Sequence, residues 1–176
     1  MNNQEYWQNL IKNVEKWNQW RIYNDDVSID LSGMSFSSYN LEGVNFSNCN
    51  LTDTNFIGAN LRFADLSHAD LTRANFIGVN LRLANLRNAT LINTLLHRSN
   101  LSEANLNNIT MVECDISNAI LYETELGEAL IFKSNFSNAH LINTHLIKAN
   151  LVLNNFENAI IKNADFRWSK NVKNNR

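Results

Sequence analysis

The 176-residue sequence contains no proline, five glycines and two cysteines, and it carries almost no net charge. It has no P-loop, no glycine-rich turn and no zinc-ligand spacing, which argues against the nucleotide and zinc sites that such motifs form. The balance of 15 basic against 17 acidic residues gives no general attraction to nucleic acid, so nucleic acid is not an expected partner. There is also no long apolar run and no signal-peptide pattern. We therefore expect a cytoplasmic protein with no membrane partner.

A period of five residues dominates the rest of the sequence. An apolar residue occupies every fifth position from Leu31 to Phe166 without interruption, and we call these residues the repeat centres. A helix repeats every 3.6 residues and a strand every two, so neither element would place the centres in one core. They share a core only if the chain turns a corner about every five residues and winds into a coil. The period therefore predicts a solenoid.

The phenylalanines among the repeat centres indicate how many sides each coil has. All of them occupy alternate repeats: Phe36, Phe46, Phe56, Phe76, Phe136, Phe156 and Phe166. A three-sided coil would scatter alternate repeats over all its faces, whereas a four-sided coil of twenty residues sends them to two opposite faces. We therefore predict four sides, with Phe36, Phe56 and Phe76 stacked in one internal column.

The residues that precede each centre fit a narrow four-sided interior. The residue two positions before a centre is usually small, and the residue just before it is usually Asn or Asp, as in Ala59 and Asn60 before Leu61. Asn and Asp side chains bond to local backbone, and stacked Asn side chains can form ladders between coils. Cys49 and Cys114 take the small position about three coils apart, too far for a disulfide, so we interpret both as inert core residues.

The pattern A(N/D)LXX, seen at residues 59–63, 64–68, 69–73 and 149–153, resembles that of the pentapeptide-repeat proteins. The resemblance covers about four-fifths of the chain. It implies an all-β solenoid, a right-handed quadrilateral β-helix of about seven coils. The segment Val14–Arg21 is also similar to the N-terminal lead-in of cyanobacterial members of that family.

The two ends need caps, because an open solenoid exposes its terminal coils. We expect residues 1–28 to form an N-terminal capping α-helix and lead-in, residues 29–168 the repeat solenoid, and residues 169–176 a short basic tail. Apolar residues of the first segment fall at helical spacing: Trp7, Leu10, Ile11, Val14 and Trp17. Asn2 and Glu5 are placed like a capping box. A partner-binding or membrane-surface helix is the alternative interpretation.

Catalysis is not expected, because a filled rod without insertion loops offers no concave, partly dry pocket. We therefore predict no enzyme activity, no catalytic residues, no cofactor and no resident metal. The best polar cluster is the column Glu125, His145 and Asp165, whose members are twenty residues apart. We interpret it as a surface charge ladder, with metal binding as the alternative.

Function is therefore sought on the outer surface, where apolar residues are the exception. One outer column reads Ile92, Val112, Phe132 and Val152, flanked by Leu130 and Leu153. The opposite face carries Ile120, Tyr122, Ile142 and Ile160. An exposed apolar stripe often marks a protein interface. The alternative is that β-branched residues simply favour strand surfaces.

Acidic residues are concentrated in the stretch from Ser99 to Phe132, which has no Lys or Arg. They include Glu103, Glu113, Glu123, Glu125 and Glu128, which we call the acidic belt. The belt matters because some pentapeptide-repeat proteins resemble duplex DNA in shape and charge and act on DNA gyrase.

These observations favour a non-catalytic structural or protein-interaction module that binds an unidentified protein through its outer surface. A homodimer through the C-terminal half is one such association. The alternative, implied by the resemblance, is a DNA-mimicking inhibitor or protector of a type II topoisomerase, DNA gyrase.

Overall fold

A computed structural model describes residues 3–25 and 27–170, and it shows a β-solenoid preceded by two short helices. The helices are α1 (Asn3–Ile11) and α2 (Val14–Ile22). The three-residue strands are β1 (Thr90–Ile92), β2 (Thr110–Val112), β3 (Leu130–Phe132), β4 (His140–Ile142), β5 (Asn150–Val152) and β6 (Ile160–Lys162). Elsewhere the coils pair through isolated parallel bridges. The predicted solenoid is confirmed.

Every backbone pairing in the solenoid joins residues twenty positions apart in parallel register. The bridges begin at Asp30 with Asn50 and extend to Asn150 with Lys170. Bridge positions recur every fifth residue, so each twenty-residue coil has four sides of five residues. The strands follow the same register in two sheets, one of order β1-β2-β3-β5 and one of order β4-β6.

The repeat centres form the core, as the period predicts. From Leu31 to Leu151 every centre is at most 1% exposed. The predicted phenylalanine column is confirmed, because the rings of Phe56 and Phe76 stack with their centroids 4.8 Å apart. The last coil differs: Ile161, which the period places inside, is 39% exposed. No further coil covers it among the residues that the structure describes.

The corner of each repeat lies two residues after its centre, where the backbone is left-handed. All such residues have positive φ, 24 non-glycine residues and four glycines between Gly33 and Trp168. A β-branched side chain is strongly disfavoured in this conformation. None of these residues is Val, Ile or Thr, and thirteen are Gly or Asn. The corner therefore imposes a second sequence rule, which the apolar period alone does not reveal.

The Asn and Asp residues before the centres hold the turns and link the coils, as predicted. The Asn45 side-chain oxygen accepts a hydrogen bond from the Ser47 backbone N–H (3.0 Å), and this bond recurs along the solenoid. Asn ladders are also present: the Asn80 amide donates to Asn60 (3.2 Å), and Asn60 donates to Asn40 (2.9 Å).

Three-residue strands replace turns mostly where the Asn or Asp is missing. The residues that start β1, β2 and β3 are Thr90, Thr110 and Leu130, which lack the side-chain carbonyl that caps the other turns. The missing Asn or Asp does not decide this alone, since Leu95, Glu125 and His145 also lack it and are followed by turns.

The N-terminal segment covers the first coil with two helices rather than the single helix that the spacing suggests. A break between the two helices falls at Asn13. The Asn13 side chain accepts a hydrogen bond from the Lys16 backbone N–H (3.0 Å) and so caps the start of α2. This break lets both Ile11 and Trp17 reach the core, where each is fully buried. The predicted capping box includes Asn2, which lies outside the described residues.

Several hydrogen bonds from Trp17, Asn18 and Arg21 fasten α2 to the first coil and the lead-in before it. The Trp17 indole N–H donates to the Asn45 carbonyl (2.7 Å). The guanidinium of Arg21, also fully buried, donates to the carbonyls of Val27 (2.9 Å) and Ser47 (2.8 Å). These contacts support the interpretation of the segment as a cap on the first coil.

The corner rule predicts opposite effects for two substitutions of Leu83, whose φ is 61°. Leu83→Asn should raise the free energy of unfolding by about 0.5 kcal/mol, because Asn tolerates left-handed backbone better than Leu. Leu83→Ile keeps the side-chain volume but adds β-branching, so it should lower that free energy by about 1 kcal/mol. Urea unfolding measures both. Equal stability of the two variants would contradict the rule.

The buried centres predict that Leu86→Asp unfolds the solenoid. Leu86 is 0% exposed, and a carboxylate there would lose its hydration without a partner, at a cost of about 4 kcal/mol or more. Thermal unfolding followed by circular dichroism should show one cooperative loss of structure at lower temperature. Arg87→Asp is the control, since the neighbouring Arg87 is exposed and should tolerate the change. A Leu86→Asp variant that melts like the parent would show that the register is wrong.

Candidate protein-interaction surface

The first predicted stripe is a continuous ladder on the outside of the four-stranded sheet. Strand pairing aligns Ile92 with Val112, Val112 with Phe132, and Phe132 with Val152. All four side chains are half-buried. The flanking Leu130 is 43% exposed, and Leu153 at the corner of the last coil is 68% exposed. We call this surface, the outer side of β1, β2, β3 and β5 with their corners, the four-strand face.

One ion pair lies on the four-strand face. The ammonium of Lys133 is 3.5 Å from a Glu113 carboxylate oxygen and 5.1 Å from the centroid of the Phe132 ring. These two are the only charged residues among the outward positions of β1, β2, β3, β5 and their corners. The face is therefore electrically neutral, and its one cation packs on its one aromatic ring.

The second predicted stripe lies on the opposite side of the coil and is interrupted by polar groups. Ile120 and Ile160 both pair with His140, which separates them. Ile142 pairs with Lys162 in the neighbouring column. We call the outer side of β4 and β6, together with Ile120 and Tyr122, the two-strand face. Its apolar area is broken by an imidazole and an ammonium, so it is the weaker of the two candidates.

Most of the acidic belt is engaged in ion pairs rather than presenting free charge. Arg82 contacts Glu103 (2.6 Å), His145 contacts Glu125 (2.7 Å) and Lys148 contacts Glu128 (3.3 Å). Glu113 pairs with Lys133 on the four-strand face. A hydrogen bond to the Glu123 carboxylate raises the pKa of Tyr122. The belt residues are distributed over three of the four sides, so they do not form one continuous acidic surface.

The column Glu125, His145 and Asp165 is only partly assembled. His145 Nδ1 is 2.7 Å from Glu125 Oε1, but the Asp165 carboxylate is held by Arg167 (2.7 Å). Hydrogen bonds from Arg167 lower the pKa of Asp165. Within the described residues no three His, Cys, Asp or Glu side chains are grouped so as to hold a metal ion.

An open groove of about 390 Å³ lies beside this column, and sequence reasoning did not anticipate it. It forms where the outward column from Asn107 to Ile147 passes through Gly127, which has no side chain. The Gly127 N–H donates to Asn107 Oδ1 (2.7 Å), and an added Cβ would lie 2.7 Å from that same oxygen. A glycine among large outward residues was the available signal. The groove's carboxylates already have side-chain partners, Glu128 with Lys148 and Glu125 with His145, so its lining does not define a ligand class.

A four-sided β-solenoid with one large inward residue every five positions is the class that this geometry defines. The sequence model of the pentapeptide repeats matches residues 29–65, 64–102, 95–130 and 134–170 in eight copies. The chain therefore belongs to the pentapeptide-repeat family. Comparison with curated proteins gives no match.

Solved structures of pentapeptide-repeat proteins are similar to this chain at low identity. HetL, involved in heterocyst differentiation regulation in the cyanobacterium Nostoc sp. strain PCC 7120, is 22% identical with a TM-score of 0.30, over 80% of this chain and 84% of HetL. Rfr23 from the cyanobacterium Cyanothece 51142 is 23% identical with a TM-score of 0.22, over 85% and 97%. QnrB1, a plasmid-mediated fluoroquinolone resistance protein, is 19% identical with a TM-score of 0.37, over 78% and 70%.

Neither described helix has the length and apolar character needed to cross a bilayer. The two cysteines are free and buried, at the inward positions that the repeat predicts. Burial raises the pKa of Cys49 to about 12, and burial also raises the pKa of Cys114. Both groups therefore stay protonated near neutral pH, where the nucleophilic thiolate is scarce.

The thiols predict a simple labelling result. At pH 8 neither thiol of the folded protein should react with a reagent such as DTNB, because both thiols are buried and their raised pKa keeps them protonated. In denaturant two thiols per chain should react, which serves as the control. Fast reaction of one thiol in the folded protein would show that its coil opens.

Proposed function

We propose that this protein is a non-catalytic interaction module whose main binding surface is the four-strand face. The observation that carries the proposal is the in-register apolar ladder from Ile92 to Val152 on the outside of a four-stranded sheet. Apolar strand surfaces bind well to proteins, because burying them gains free energy and, on this face, desolvates only one ion pair. The partner is a protein rather than nucleic acid or membrane, and the two-strand face is a second, smaller surface.

The proposal includes a right-handed coil of about seven turns. The twenty-residue pairing register over residues 30–170 supports this number of turns. Such a rod is about 34 Å long at a strand spacing of about 4.8 Å. In a rod of this kind the inward residues are occupied with folding, and binding groups are presented along the sides. No catalytic role is part of the proposal.

The alternative, mimicry of duplex DNA to inhibit or protect gyrase, is less well supported. A DNA mimic needs rows of unneutralised negative charge, since DNA carries one charge per about 1.7 Å of its axis. Here Glu103, Glu125 and Glu128 each contact a basic side chain. The net charge of the resulting surface is therefore closer to zero than to the strongly negative charge of DNA.

Replacement of Phe132 tests the four-strand face directly. Immobilised wild-type protein and Phe132→Asp would be used to capture proteins from lysate of its own source, with identification by mass spectrometry. A carboxylate in the centre of the ladder should reduce capture of a specific partner by about tenfold or more, because it must be desolvated on binding.

Ile142→Asp is the matched control, since Ile142 is the half-buried third residue of β4 just as Phe132 is of β3. It should leave the partner bound. Loss of the captured partner with Ile142→Asp alone would show that the two-strand face is the binding surface instead. Unchanged capture by both variants would reject the apolar faces as binding surfaces.

A further inference from the structure

We infer that the four-strand face is the contact surface of an antiparallel homodimer whose twofold axis passes between Val112 and Phe132. The inference rests on the proposed function, because it names the partner of the same surface: a second copy of this chain. Two independent features of the face, the extent of its apolar ladder and the arrangement of its charges, share this centre of symmetry.

The first feature is the extent of the ladder. Its four strands are β1, β2, β3 and β5, so its midpoint lies between β2 and β3. A twofold axis at that point, lying in the plane of the face and perpendicular to the rod, exchanges β1 with β5 and β2 with β3. The region in which the two chains face each other then consists of these four apolar strands and extends no further along the rod. The more polar coils on the same side, which carry Ser32, Thr52 and Thr72 outward, extend away in opposite directions.

The second feature is charge. Glu113 and Lys133 occupy equivalent corner positions, directly after β2 and β3, the two strands nearest the proposed axis. In an antiparallel pair, Glu113 of each chain therefore faces Lys133 of the other. In a parallel pair, with the twofold axis along the rod, each charge lies at the same height as its own copy. Glu113 is then nearer to Glu113 of the other chain than to its Lys133, which is unfavourable at close range. Charge thus selects the antiparallel arrangement.

Side-chain size agrees with the same axis. The large Phe132 of each chain meets the smaller Val112 of the other. At the ends of the overlap, the protruding Leu153, which is 68% exposed, meets the corner that carries Asn93. Large residues therefore oppose smaller ones across the face, which allows close packing of the two sheets.

The size of the face limits the strength of the dimer. Four strands at about 4.8 Å spacing span only roughly 15 Å, so the buried area falls below the roughly 1,200 Å² of standard stable complexes. We therefore expect a reversible dimer with a dissociation constant of about 10 µM or weaker, which forms at high local concentration.

Charge reversal across the axis is the decisive test. Sedimentation velocity from about 1 µM to about 1 mM would be measured for wild type, Glu113→Lys, Lys133→Glu and the double variant. Each single reversal replaces two attractive contacts by two repulsive ones and should weaken the dimer about tenfold or more. The double variant restores opposite charges across the axis and should dimerise like the wild type.

Two controls keep the outcome interpretable. Circular dichroism should show unchanged folding in all variants, since Glu113 and Lys133 are both exposed. Ile142→Asp, on the opposite side of the rod, should dimerise normally. Single reversals that leave the dimer unchanged, or a double variant that fails to restore it, would overturn the antiparallel geometry.

The inference and the proposed function can fail separately. A protein that is monomeric at about 1 mM, yet loses a captured partner on Phe132→Asp, would overturn the dimer and leave the interaction face in place. A dimer that follows the charge cycle establishes the self-contact even when no other protein is captured.

Discussion

The structure depends on one backbone constraint, namely that the chain must turn a left-handed corner every five residues. Without that corner, successive large residues could not all point to one axis, and residues twenty apart could not pair. Each coil therefore stacks on the last only because residues such as Leu83 and Lys133 accept positive φ, at a local cost of about 1–2 kcal/mol each. Backbone pairing between coils and burial of the centres offset that cost. Corners, pairing and core are therefore interdependent, and none would be stable alone.

Most of the fold could be predicted because it repeats the same local solution. The solenoid, its four sides, the phenylalanine column and the Asn ladders all follow from spacing alone, since any residue's environment is set by its place in the five-residue unit. The left-handed corner was equally visible, in the absence of β-branched residues two positions after each centre, but this signal is an exclusion rather than a pattern of similar residues. The break between the helices at Asn13 was harder to predict, because apolar spacing alone does not distinguish one helix from two. The exposure of Ile161 depends on its place at the end of the array.

The candidate surfaces were predictable in outline but not in detail. Once the register is known, the columns follow, so the ladder from Ile92 to Val152 could be derived from the sequence. The contacts between outer side chains could not be derived from the sequence, because they depend on the rotamers of long residues. Lys133 folds over Phe132, and Arg167 takes the Asp165 carboxylate away from His145. These local choices turn an apparent acidic belt into ion pairs and an apparent three-residue column into a two-residue one.

The remaining question is whether the apolar ladder needs a binding role, since β-branched residues favour strand surfaces in any case. The same side of the solenoid provides its own comparison. At the outward position, the early coils carry Ser32, Thr52 and Thr72, and the later ones carry Ile, Val and Phe. Thr satisfies the preference for β-branching as well as Ile or Val does, and Phe132 is not β-branched at all. Folding therefore accounts for branching at this position but not for the loss of polarity. The proposed interaction, in which a partner surface covers β1, β2, β3 and β5, would account for both the change in polarity and the place where it begins.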